Sequence, residues 1–167
     1  MRITEAIQHD APASEVYAML CDSRYQELRC ERSGALEHEV TVELQEGSTL
    51  VVTRRRMATD RFPDFARSIV GDTVDVIESQ SWGEPDSDGS RGAGVELSIP
   101  GTPVEFTGSL SLAPVDGDPA RTEHTLTGDL QAHVPLLGSR IEKAVAPIIS
   151  GAFRQETQVA QEWRTRA

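Results

Sequence analysis

Residues 134–166 read VPLLGSRIEKAVAPIISGAFRQETQVAQEWRTR. Ile141, Val145, Ile148, Ala152, Val159 and Trp163 recur at helical spacing, so one side of this segment is an apolar stripe. Ser139 and Glu142 have the spacing of a capping box, and Pro135 and Gly138 precede them. Pro147 removes one backbone hydrogen bond and predicts a kink, and Gly151 adds flexibility a turn later. About 26 helical residues span roughly 39 Å, against roughly 33 Å for a ten-residue strand. Such a helix is long enough to lie across a whole sheet.

The rest of the chain supplies that sheet. Residues 2–9 alternate as a strand, and Pro12 opens a short helix carrying Val16, Tyr17, Met19 and Leu20. A second short helix runs through Tyr25, Leu28 and Arg29 and stops near Gly34. From residue 35 the apolar period changes to two. Strands are expected at 36–44, 50–57, 73–82, 95–99, 104–112 and 121–134, with turns at Glu46-Gly47, Pro100-Gly101 and 116–119. Residues 60–70 interrupt the alternation, with a short helix near Pro63-Asp64, and 84–94 form a polar, Gly-rich loop. With no repeat and no linker, residues 1–167 read as a single domain. Its class is α+β: a curved, seven-stranded antiparallel sheet wrapped around the C-terminal helix, with two short helices between strands one and two.

The chain has 13 Gly and 9 Pro in 167 residues, 38% hydrophobic residues and a net charge of −11. That excess of acid opposes phosphate backbones and anionic lipid surfaces, so neither nucleic acid nor stable membrane insertion is an expected partner. With no signal-peptide pattern in MRITEAIQHD and no apolar run of spanning length, a cytoplasmic location is expected. Cys21 and Cys30, nine apart, fit neither a redox nor a zinc spacing and read as reduced thiols.

The order of elements, the APASEVYAML first helix (11–20) and VPLLGSRIEKAV (134–145) resemble the START-like, or SRPBCC, helix-grip superfamily. That group includes the birch-pollen allergen, steroidogenic lipid-transfer domains and aromatic polyketide cyclases. Pro63-Asp64-Phe65, Gly71, Trp82, Pro135-Leu136-Leu137-Gly138 and Ile141-Glu142 resemble an actinobacterial branch of undefined function within it. The resemblance covers the whole chain, but its motifs are structural. It implies a small hydrophobic ligand, such as a lipid or polyketide, held between sheet and helix, and names no catalytic residue.

Candidate ligand-contacting residues follow from parity and bulk. His124 shares a strand face with Leu126, Gly128, Leu130 and Ala132, and reads either as a satisfied core histidine or as a group that orients a ligand. His38 stands likewise among Val40 and Val42. Glu78 and Gln80 share a face with Val74, Val76 and Trp82. Glu78 reads first as a wet carboxylate near the open end of the sheet; inside an apolar cavity its pKa would rise. Arg54 and Arg56 point outward toward Glu39 and Glu37 if Glu46-Gly47 makes a two-residue hairpin, and inward if the register slips by one. Met57, Phe62, Phe65, Trp82, Phe106 and Phe153, with Ile141, Val145 and Ile148, are the apolar groups available beneath the helix. Because the interior is built mainly of small aliphatics, an open cavity is expected, and 60–70 is its expected lid.

No metal-ligand spacing, dinucleotide fingerprint or nucleophile motif occurs, and no cofactor is expected. The leading function is non-catalytic binding of a small hydrophobic ligand. The alternatives are a cyclase or dehydratase using Glu78, His38 or His124, and a fully packed protein-interaction module. The sequence leaves the ligand and the oligomeric state open.

Overall fold

The computed structural model describes residues 1–166. The first alternating segment is strand β1 (Arg2–His9). It is followed by helices α1 (Ala13–Leu20) and α2 (Ser23–Arg32). Pro12, extended at ψ 152°, starts α1, and the Asp22 side chain starts α2 by accepting from the Arg24 N–H at 2.8 Å. Gly34 at φ 82° releases the chain from α2 into the sheet.

Strands β2 (Glu37–Gln45) and β3 (Ser48–Ala58) form a hairpin around Glu46-Gly47. Helix α3 (Asp64–Val70) and β4 (Thr73–Trp82) follow. Strands β5 (Arg91–Ser98), β6 (Val104–Val115) and β7 (Asp118–Ala132) complete the sheet before the long helix α4 (Gly138–Arg166). All seven strands are antiparallel, in the order β1-β7-β6-β5-β4-β3-β2.

Strand alternation separates two faces. Along β7, Thr122, His124, Leu126, Leu130 and Ala132 are buried, while Glu123, Asp129 and Gln131 are exposed. Ile3, Ile7, Phe106, Leu110, Leu126 and Leu130 share one core with Ile141, Phe153, Val159 and Ala160 of α4. Each fully buried large aliphatic or aromatic side chain contributes about 1.5–3 kcal/mol to this packing. Gly128 makes a close approach possible: a Cβ there would collide with the Phe106 ring and with the backbone of β6.

Three sequence expectations are corrected. Ser139 and Glu142 form no capping box. Glu142 Oε1 accepts from the Ala132 N–H at 3.1 Å, and its Oε2 lies 3.2 Å from the N-terminal ammonium, tying the start of α4 to the sheet. The helix begins at Gly138, whose Cα approaches the Ala132 carbonyl too closely for any side chain. The polar loop is also shorter than expected, because Gly92 and Gly94 pair with Ser111 and Ser109 as part of β5. The turn near 116–119 narrows to Asp116-Gly117, both at positive φ, and Asp118 and Pro119 join β7. Cys30 is buried, Cys21 half-buried, and both are free.

Candidate functional site

Two hollows lie end to end beneath α4. The outer one, about 40 Å³, lies between α3, the turn joining β5 to β6, and the first half of α4. Phe62, Ile69, Val104, Ile141, Val145 and Ile148 line it, and its walls are apolar apart from Thr102. The inner one, about 50 Å³, is walled by Leu97, Phe106, Leu126, Ile149 and Phe153, and by Arg29, Arg55, Glu78, Gln80 and Glu156. At about 10–15 Å³ per water, each hollow takes roughly three or four water-sized bodies. Cavities that enclose whole ligands measure roughly 300–1,000 Å³. The open cavity expected from small aliphatics is therefore largely filled, because Phe106, Phe153 and two inward arginines occupy the space.

Those arginines belong to a buried network. In the observed register Glu37 pairs with Arg56 and Glu39 with Arg54, so the register does not slip, and Arg54 and Arg56 point outward to Asp75. The same parity drives Arg55 inward. Arg55 Nη2 donates to Glu78 Oε2 at 2.9 Å, and Arg29 Nη1 donates to Glu78 Oε1 at 2.9 Å. Gln80 Nε2 donates to the same Oε1 at 2.7 Å, and the Gln80 side-chain oxygen accepts from Trp82 Nε1 at 3.0 Å. Behind Arg29, Glu156 Oε2 stands 3.9 Å from Nε, and the Tyr25 hydroxyl donates to Glu156 Oε1 at 3.4 Å.

The two carboxylates are driven in opposite directions. Burial alone would raise the Glu78 pKa, but Arg29 and Arg55 with their hydrogen bonds override it and hold the carboxyl at about 2. Glu78 is therefore neither the wet carboxylate nor the raised base that the sequence suggests. Burial pushes Glu156 above the ordinary range; Arg29 opposes this incompletely, and the Glu78 charge adds to the rise. Of these two carboxyls, Glu156 is the one whose proton affinity is raised.

A second cluster is aromatic. His124 packs edge-on against Phe153 at 4.9 Å between centroids and lies near Trp82 and His9. Neither of its ring nitrogens has a hydrogen-bond partner among the described residues, and burial lowers its pKa to about 3. Burial and the neighbouring His124 lower His9 to about 4, and its Nδ1 accepts from Arg164 Nη2 at 3.0 Å.

The sequence-derived candidates divide by place. Phe62, Ile141, Val145 and Ile148 line the outer hollow, and Glu78, Phe106 and Phe153 the inner one. Trp82 is fully buried but fills core against Tyr17 and His124, and His124 touches Phe153 without lining either hollow. Met57 is half-buried in core, and Phe65 is half-buried under the Arg140 guanidinium, 4.1 Å from the ring centroid. His38 is exposed, because β2 is an edge strand beyond the reach of α4. Sequence reasoning missed Arg29, Arg55 and Glu156. The signal for Glu156 was present, since it falls on the α4 stripe between Ala152 and Val159. Among the described residues no three His, Cys, Asp or Glu side chains gather as metal ligands. No helix there is long and apolar enough to cross a membrane.

Residues 4–163 match a family described as "Protein of unknown function (DUF2505)". The chain belongs to this family. Over 120 residues this DUF2505 chain is 23% identical to an uncharacterised protein of Mycobacterium tuberculosis, covering 72% of the chain and 68% of that relative. Among solved structures it resembles a Thermus thermophilus protein, TTHA0849, with a TM-score of 0.61 at 15% identity, covering 97% of this chain and 95% of that one. It resembles the Zhui aromatase/cyclase of Streptomyces sp. R1128 at TM-score 0.55 and 15% identity, covering 95% and 93%. A START superfamily protein of Mycobacterium smegmatis matches at 0.54 and 12%, covering 94% and 97%. The DUF2505 chain thus has the START-like helix-grip fold.

Proposed function

We propose that this protein binds a small hydrophobic ligand, a lipid, polyketide or similar molecule, between α4 and the sheet. The observation that carries the reading is the outer hollow: an apolar space bordered by α3, with Ile69 and Ile148 exposed at its rim. Apolar surface left open beside a closed core lowers its free energy by about 25 cal/mol per Å² when a ligand covers it. Helix α3 buries no residue completely, so it can part from α4 at modest cost and enlarge the space. We place the protein in the cytoplasm, where free Cys21 and Cys30 stay reduced, and expect no nucleic-acid partner for a chain of charge −11.

Native mass spectrometry and thermal shift against a panel of lipids and polyketides test the proposal. Retention of an apolar molecule with a raised melting temperature supports it, and failure of every panel member removes it.

A cyclase or dehydratase is the second reading, favoured by Glu156. It is a buried carboxyl with raised proton affinity beside the inner hollow, placed to donate or accept a proton on a bound substrate. In this reading Glu156 replaces Glu78 and His38, since the first is held ionised by two arginines and the second is on the surface.

A further inference from the structure

The charged end of the interior is incompletely satisfied. Arg55, 7% exposed, uses Nη2 on Glu78, while its Nε is buried with no acceptor among the described residues. An ionised N–H without an acceptor in a low-dielectric interior is costly, and an oxygen acceptor relieves that cost. Arg55 also lines the inner hollow, whose room for roughly three or four water-sized bodies matches the heavy atoms of a carboxylate with its adjoining methylene rather than a whole ligand.

The two hollows are arranged for a molecule with two unlike ends. Residues 141–148 of α4 line the apolar hollow and residues 149–156 the polar one. Their centres are therefore about 12 Å apart along the helix at 1.5 Å per residue. Between them, Leu97 and Phe106 continue the sheet face on which Ile99 and Val104 border the outer hollow.

We propose that the inner hollow seats the carboxylate of an apolar monocarboxylate, with one oxygen accepting from Arg55 Nε and the apolar body lying along α4 toward α3. This rests on the ligand-binding reading above and names its chemical class. The charges agree: Arg29 and Arg55 face one firmly ionised carboxylate, Glu78. Glu78 engages Nη2 of Arg55 and leaves Nε as the spare charged donor, which a ligand carboxylate oxygen satisfies.

The test uses the full chain at pH 7 and displacement of the uncharged fluorophore N-phenyl-1-naphthylamine. Competitors are dodecanoate against dodecan-1-ol, and 2-naphthoate against 2-naphthylmethanol, so that the two arms distinguish a fatty from an aromatic acid. In at least one arm the acid displaces the probe at about ten-fold lower concentration than its alcohol. Arg55→Lys keeps a cation for Glu78 and removes the Nε–H. In this variant the acid's advantage over its alcohol falls to about two-fold or less, while the protein still binds the apolar probe. Equal displacement by acid and alcohol in both arms overturns the carboxylate seat and leaves the apolar reading standing. Retention of the advantage in Arg55→Lys also overturns it. If neither the probe nor any competitor binds, both readings fall.

Discussion

Arg55 on β3 and Glu78 on β4 are diagonal neighbours across the ladder, joined Nη2 to Oε2 at 2.9 Å with both residues more than nine-tenths buried. Thr53 is the residue directly opposite Glu78, so the long arginine side chain reaches along the sheet face to make the bond. Arg29 closes the same carboxylate from α2, which makes Glu78 the hub of the network and Arg55 one spoke.

That asymmetry orders two substitutions. Glu78→Gln strands the buried Arg55 guanidinium, leaves Arg29 only the more distant Glu156, and costs about 3–5 kcal/mol. Arg55→Leu costs less, because Glu78 keeps Arg29 and Gln80. Urea unfolding at pH 7 measures both, and the reverse order contradicts the network. The Glu78 pKa is depressed to about 2, so its contribution is complete above the unfolded value near 4.5 and disappears as the pH falls toward 2.

The histidines give a separate pH dependence. His124 is held neutral with a pKa of about 3, and the unfolded chain restores it to about 6.5. Below pH 6.5 the unfolded state binds the extra proton, so stability falls with falling pH, by about 2 kcal/mol for His124 at pH 5. His124→Leu reduces the loss in melting temperature between pH 7 and pH 5. An unchanged slope contradicts the assignment.

Gly128 is set by the Phe106 ring. Gly128→Ala overpacks this contact and costs about 1–3 kcal/mol in urea unfolding, and Phe106→Leu on the alanine background recovers part of it. Additive losses in the double variant contradict the contact.

The α3 segment opens before the sheet does. Its ends are clamped where the Thr59 N–H donates to the Asp72 carbonyl at 3.0 Å, but nothing between them is fully buried except Thr59 itself. Amides of 64–70 exchange with deuterium faster than those of β4 and β7 and slow when an apolar ligand is bound. Core-like protection without ligand contradicts a lid.

Element type and order were legible because periods of 3.6 and two change cleanly near residue 35 and again after Val134. Parity also told which side of β7 faces inward. Parity is silent on depth, and there the site diverged from its sequence reading. His38 has inward parity, but its strand lies at the sheet edge, outside the shadow of α4. Arg55 was hidden between Arg54 and Arg56, since a run of three charges suggests a solvated face although its middle member must point the other way. Glu156 and Arg29 are each a lone charge on a helical stripe. Only the tertiary meeting of α2, α4 and β4 shows that they partner each other and Glu78.

Methyl chemical-shift mapping on isoleucine- and valine-labelled protein tests the seat of the ligand most directly, with dodecanoate as probe. Binding beneath α4 predicts shifts at Ile141, Val145, Ile148 and Ile149, with Val40 and Val42 on β2 unmoved. Silent α4 methyls at saturating dodecanoate, or shifts confined to β2, would contradict it.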